Sequence, residues 1–222
     1  MALTRSVTAT GKLAGNAWIF KAMDFFNPIL IDLPLPIETP RLLLREPRPG
    51  DGAALHEMKL ETWEQIHQWM PWATEIGTED ESEANCREAY ANFILRKDLR
   101  LQGFEKETGR MVIGTGLHRF DWNVRRFEIG YWVRAGAQGK GYATESTNAL
   151  TRYAFEVLRA NAVAIDAATE NRRSLNVIEK LGFEKEGIEK KSLRTGNGSL
   201  FDKYLYSRTS VDGLPDLDVK WG

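Results

Sequence analysis

One cysteine, Cys86, stands in a chain of 222 residues, so no disulfide can form within it and a reducing compartment is the simple reading. Neither sign of charge dominates. The 30 Lys and Arg are matched by 31 Asp and Glu, which argues against general attraction to nucleic acid or to an anionic membrane. No apolar run reaches the ~18 residues that a membrane span needs. The opening stretch MALTRSVTATGKLAGNAWIF lacks the continuous apolar segment of a signal peptide. The histidines, His56, His67 and His118, share no metal-ligand spacing, and with a lone cysteine no metal centre is expected. No repeat and no low-complexity tract interrupts the chain. These absences point to a cytoplasmic protein without a metal, a nucleic acid or a membrane as partner, with apolar content for one large domain.

Hydrophobic periodicity gives the order of elements. Residues 1–36 read as an N-terminal extension. Within it NAWIFKAMDFF could form a short amphipathic helix, and NPILIDLPLP is extended and broken by proline. Trp18, Phe20, Phe25 and Phe26 are too apolar for a free tail, so this segment is expected to pack on the core or on a second copy, which keeps a homodimer open. RLLLREP (41–47) reads as a strand. Helical spacing follows over 51–72, stopped by Pro71, then an acidic loop, EIGTEDESE, then a helix over 80–97 with Ala84, Ala89, Phe93 and Ile94 inward. The period then changes to two. LRLQGFE, RMVIGTGLHR and RFEIGYWV read as consecutive strands. A helix is expected over 142–158, with Ala143, Thr147, Leu150, Ala154 and Leu158 buried and Glu145, Asn148, Arg152, Glu156 and Arg159 wet. A buried strand (162–169), a helix (171–181) and a closing hairpin across TGNG complete the chain. The fold class is α+β.

AQGKGYATES, residues 137–146, joins a strand to a helix. Amides at a helix N-terminus have no internal partner and sit at the positive end of the dipole, and Gly139 and Gly141 let a phosphate approach the backbone. The bland alternative is a helix start with no ligand. A Walker loop fails, because Lys140 is followed by Gly141 instead of Ser or Thr. A dinucleotide fingerprint meets Thr144 at its third glycine position, and too few crossovers follow it.

The third reading comes from a resemblance. The loop resembles the Q/R-x-x-G-x-G/A signature of the Gcn5-related N-acetyltransferase (GNAT) superfamily, matched by Gln138, Gly141 and Ala143. NRRSLNVIEKLGFEKEG (171–187) resembles its second signature. TPRLLLREP and FDKYLYS resemble the RimJ/RimL branch, which acetylates protein N-terminal amines, and WEQIHQWMPW resembles its ribosomal-protein serine acetyltransferases. The resemblance spans roughly residues 37–208, leaving 209–222 as a C-terminal tail. It implies a mostly antiparallel twisted sheet with splayed central strands and helices on both faces. It also implies acetyl-CoA as co-substrate, bound by Gln138, Gly139, Lys140, Gly141, Ala143 and Thr144 at the pyrophosphate, with Trp132, Val133 and Asn171 along the pantetheine arm.

For the proton acceptor the candidate is Glu128. Alternation sets it on one face with Gly130 and Trp132, where aromatic neighbours would partly desolvate it. The structural alternative is an ion pair with Arg125 or Arg126. Asn171 is also a good helix cap. Ile178 stands where many members of the superfamily carry a tyrosine as thiolate acid. The RimL-like branch uses a serine one turn earlier, which here is Ser174; its plain alternative is a helix-start serine. Trp69 and Trp72 are expected to line the acceptor side. The acceptor implied is a protein or peptide N-terminal α-amine. A small cationic amine such as a polyamine or aminoglycoside, drawn by the acidic loop, and a non-catalytic acyl-CoA-binding module remain open at this point.

Overall fold

The computed structural model describes residues 27–222. The helix expected in NAWIFKAMDFF and the aromatics Trp18, Phe20, Phe25 and Phe26 lie outside the described residues. The elements are β1 (Ile37–Glu38), β2 (Leu42–Arg45), α1 (Gly52–Trp69), α2 (Glu79–Ile94), β3 (Leu99–Glu105), β4 (Met111–Asp121), β5 (Arg126–Val133), α3 (Tyr142–Glu156), β6 (Ala162–Ala168), α4 (Arg172–Lys180), β7 (Glu184–Arg194), β8 (Leu200–Arg208) and β9 (Lys220–Trp221).

All the strands join one sheet in the order β7-β8-β6-β5-β4-β3-β2-β1-β9. Every pairing is antiparallel except β5 with β6, the two strands that α3 connects. The parallel pairing is short, Arg126 with Ala162, Phe127 with Val163 and Glu128 with Ala164. Beyond it β5 runs on to Val133 beside β4, and β6 runs on to Ala168 beside β8. The two central strands therefore part just after Glu128, and a cleft opens between them.

Alternation along β5 feeds two apolar clusters on opposite faces. Phe127 and Ile129 join the larger one with Leu150 and Tyr153 of α3 and Leu175 and Ile178 of α4. Trp132 packs on the smaller one, made of Leu55, Met58, Cys86 and Met111. Residues on either side of 37–208 also touch this body. Leu33, Leu35, Leu217 and Trp221 pack on the larger cluster, Leu214 is buried in it, and β9 pairs with β1.

Two helices depart from the periodicity reading. The EIGTEDESE run caps and starts α2 from Thr78 onward. Thr78 caps it in a reciprocal box with Glu81, and Glu79 and Asp80 lie at the positive end of the dipole. Its buried face is Ser82, Cys86, Ala89 and Phe93, while Ala84 and Ile94, expected inward, are exposed. In α3, Glu145 and Asn148, expected to be wet, are buried. Glu145 Oε1 accepts from the Thr39 hydroxyl at 2.6 Å and from the Arg41 amide at 3.0 Å, and Asn148 Nδ2 donates to the Pro215 carbonyl at 2.8 Å. Segments distant in sequence cover that face and satisfy its polar groups, so a polar residue there does not mark solvent. Among the described residues no helix is long and apolar enough to cross a membrane.

Candidate active site

The glycine loop lies at one end of the cleft. Gly139 and Gly141 have φ of +76° and +86°, a left-handed backbone that side chains resist. A Cβ at Gly139 would meet nothing within 4 Å, so the outer side of the loop is open. Gly141 is the N-cap of α3, and no side chain caps it. The first internal bond of α3 runs from the Glu145 amide to the Gly141 carbonyl, so the amides of Tyr142, Ala143 and Thr144 have no partner in the helix. A pyrophosphate fits this cradle. Gln138 is engaged elsewhere. Its amide donates to Ala135 at 3.2 Å, its Nε2 donates to the Val133 carbonyl at 3.2 Å, and its Oε1 accepts from Arg173 at 2.8 Å. Gln138 thus ties the loop to the end of β5, and the free amides begin after it. Arg41, absent from the sequence-based set, donates to the Lys140 carbonyl at 2.7 Å and pairs with Glu145, with half its side chain exposed beside the loop.

On the larger cluster's side, α4 borders the cleft. Asn171 caps it by accepting the Ser174 amide at 3.2 Å. The Tyr131 hydroxyl is buried and, among the described residues, has no hydrogen-bond partner of good geometry. Burial pushes this phenol up to about 12, against a smaller opposing pull from the Ser174 side chain nearby. It is therefore a neutral hydroxyl at any working pH. Between β5 and β6, the edge from Ile129 to Val133 faces no strand among the described residues and could pair with an extended arm of a ligand.

On the opposite face the Glu128 side chain is 18% exposed, and charged groups surround it beside Phe127 and Tyr206. The Glu128 carboxylate is held by Arg119, whose Nε lies 3.0 Å from Oε2 and whose Nη2 contacts Oε1. Arg119 Nη2 is also 3.9 Å from Asp166 on β6, which pairs at 2.7 Å with Lys203 on β8. Arg126, named as a structural partner for Glu128, pairs instead with Glu186 at 2.9 Å. Glu128, Arg119, Asp166, Lys203 and Glu189 line a cavity of about 150 Å³. Arg119 reaches Glu128 because β4 carries a bulge. Asp121 pairs with Arg126, but His118, not Arg119, pairs with Glu128. Arg119 has φ of +41°, and its side chain is re-aimed toward the carboxylate.

Trp69 and Trp72 are brought to the same region by different contacts. Trp72 is half exposed and its ring lies 5.7 Å from that of Trp132. Trp69 lies 5.5 Å from Phe201 on β8. The tip of the β7–β8 hairpin reaches across to the end of α1. There the Gly196 amide donates to Met70 at 3.0 Å and the Asn197 amide to His67 at 3.1 Å. The hairpin tip thus closes on the end of α1, next to the chain that carries Trp69 and Trp72. Among the described residues no group of three or more His, Cys, Asp or Glu could hold a metal ion.

Known proteins share this sequence pattern and this fold. A family model described as "Acetyltransferase (GNAT) domain" matches residues 41–184. The chain is 33% identical over 171 residues to the Bacillus subtilis protein named "Putative ribosomal N-acetyltransferase YdaF", covering 75% of this chain and 90% of that one. It is 32% identical over 87 residues to the "[Ribosomal protein uS5]-alanine N-acetyltransferase" of Escherichia coli, covering 39% of this chain and 44% of that one. Among solved structures, RimL, a ribosomal L7/L12 alpha-N-protein acetyltransferase in complex with coenzyme A, superposes with a TM-score of 0.71 at 22% identity, over 77% of this chain and 95% of that one.

Proposed function

Because the chain belongs to the GNAT acetyltransferase family and so moves acetyl from acetyl-CoA to an amine, we propose that its acceptor is the N-terminal α-amine of a ribosomal protein. The observation that carries the reading is the cleft itself. It has open amides at the start of α3 that suit a phosphate, a carboxylate where β5 and β6 part, and α4 beginning at Asn171 beside β6. The relative named for ribosomal acetylation matches over 90% of its length, which favours a protein acceptor. The run EIGTEDESE, which kept a small polyamine open, is engaged in starting α2.

In this reading the amides of Gly139, Lys140, Gly141, Tyr142, Ala143 and Thr144 hold the pyrophosphate, and Arg41 adds charge. Gln138 shapes the loop. The free edge at Trp132 and Val133, with Asn171 opposite, aligns the pantetheine arm. Acetyl-CoA supplies the thioester. Glu128 receives the acceptor ammonium in place of Arg119 and takes its proton directly or through water. The new C–N bond forms as the C–S bond breaks, and the amine's second proton passes through the Ser174 hydroxyl to the departing thiolate. Trp69 and Trp72 border the residues that follow the amine.

The test is a screen of acceptors with acetyl-CoA, reading thiol release and the acetylated atom by mass spectrometry. Peptides carrying ribosomal-protein N-termini should be acetylated on the α-amine, and the same peptides with a blocked N-terminus should not. Turnover of a polyamine or aminoglycoside with higher kcat/KM than any peptide would refute the proposal.

A further inference from the structure

The face that carries Glu128 holds one more pair of titratable groups, which the steps above leave unused. His118 on β4 pairs directly with Glu128 on β5. Asp98 immediately precedes β3, whose Leu99 pairs with Leu117. Asp98, His118 and Glu128 therefore lie side by side across three strands. His118 Nδ1 is 2.6 Å from Asp98 Oδ1. An ionised carboxylate only accepts, so in the neutral ring Nδ1 carries the hydrogen and Nε2 keeps its lone pair.

Two missing side chains make room for that ring. A Cβ at Gly130 would come within 3.1 Å of His118 Cδ2 and 3.5 Å of Nε2, and one at Gly116 within 3.0 Å of Cε1. The imidazole thus lies over Gly130, on the strand whose free edge borders the cleft. Its side chain is 26% exposed, so water reaches it. A base held by a carboxylate on one nitrogen and open on the other is the usual arrangement of an oriented proton acceptor. Glu128, by contrast, has both oxygens against Arg119.

We infer that the Asp98–His118 pair is a second proton-accepting group of this site, taking the acceptor's proton on from Glu128. The inference rests on the acetyl-transfer reading of the same cleft. The ammonium nitrogen sheds two protons as it becomes an amide. One passes to Glu128, then through a bridging water to His118 Nε2, and from the imidazolium to solvent. Asp98 stabilises that imidazolium, and Glu128 is returned to its carboxylate form. The other proton reaches the departing thiolate through Ser174. No oxidant or further reactant is needed.

Imidazole rescue tests this directly. In His118→Ala, kcat should fall about tenfold to a hundredfold, at or below the lower end of the range for general bases, because water can replace a second acceptor. Added imidazole should restore much of it. Asp98→Asn should lose a similar factor with no response to imidazole, and Glu128→Gln, with its larger loss, should not respond to imidazole either. Acetyl-CoA affinity, measured by calorimetry, should be unchanged in all three, which checks the fold. Nitrogen-15 spectra of the unaltered protein should show neutral His118 protonated at Nδ1. His118→Ala at full rate, a loss that imidazole does not reverse, or a ring protonated at Nε2 would each overturn the inference. Absence of acetyl transfer by the unaltered protein to any amine would instead sink the acceptor reading, and the nitrogen-15 spectrum would still decide the state of the ring.

Discussion

The loop proposed for the cofactor draws on one continuous run of chain, residues 139–144, and offers mainly backbone amides. The face proposed for the acceptor draws on Asp98, His118, Arg119, Glu128, Asp166 and Lys203, delivered by β4, β5, β6, β8 and the residue before β3, and offers only side chains. A backbone cradle depends on local conformation, so few residue types matter beyond the glycines. A side-chain cluster depends on strand register, so one bulge in β4 decides which residue meets Glu128. Damage should therefore separate cleanly. Changes at the loop should alter CoA affinity, and changes on the opposite face should alter acceptor turnover.

The largest expected effect is on the acceptor side. Glu128→Gln keeps the shape and removes the proton acceptor, so kcat should drop about 10²–10⁴ with CoA affinity intact. Part of the rate should return at high pH, where the amine is already neutral. Parent rate and parent pH profile would take Glu128 out of the mechanism and blur the division. On the α4 side, Ser174→Ala removes a donor to a tolerable leaving group. Its kcat should fall about tenfold to a hundredfold, or 1.4–2.8 kcal/mol at about 1.36 kcal/mol per factor of ten. If Ser174→Ala weakens CoA binding as much as it slows turnover, Ser174 belongs to the cradle.

The loop itself should give a smaller and purely binding effect. Gly141→Val forces a β-branched side chain into a left-handed backbone at a cost of roughly 1–2 kcal/mol, or about fivefold to thirtyfold in CoA affinity if the loop relaxes to avoid it. Unchanged affinity by calorimetry would remove the loop from the cofactor site. The smallest effect is expected at Trp72, whose tilted ring contact with Trp132 amounts to about 0.5–1.5 kcal/mol. Trp72→Ala should raise acceptor KM about twofold to tenfold while CoA affinity stays put. Equal loss of both would mean that this ring supports the core and not the acceptor.

Much of the fold was legible in advance because its signals are local. β3 and β5 occupy the stretches that alternation outlined, and α3 and α4 begin where the glycine pair and Asn171 announce them. The misreadings came from the same reliance on local pattern. Glu145 looked wet because nothing nearby in sequence announces Thr39 and Arg41 as its partners. Ala84 and Ile94 looked buried because apolar residues alone were counted, whereas the inward face of α2 also uses Ser82 and Cys86. Arg119 was missed although it lies only nine positions from Glu128. Continuing the hairpin register from Asp121 and Arg126 would have set Arg119 opposite Glu128, yet the bulge gives that place to His118 and turns Arg119 in from beside it.

The sequence by itself determined the order of elements, the α+β class, the glycine loop at a helix start and the family, because each rests on residue types at fixed short spacing. Tertiary structure alone decided what surrounds Glu128. Asp98, His118, Arg119, Asp166 and Lys203 carry no common motif. They meet only because β4, β5, β6 and β8 lie side by side with one bulge in register. Strand pairing is settled by burial across the whole sheet, and no short window of sequence contains that information.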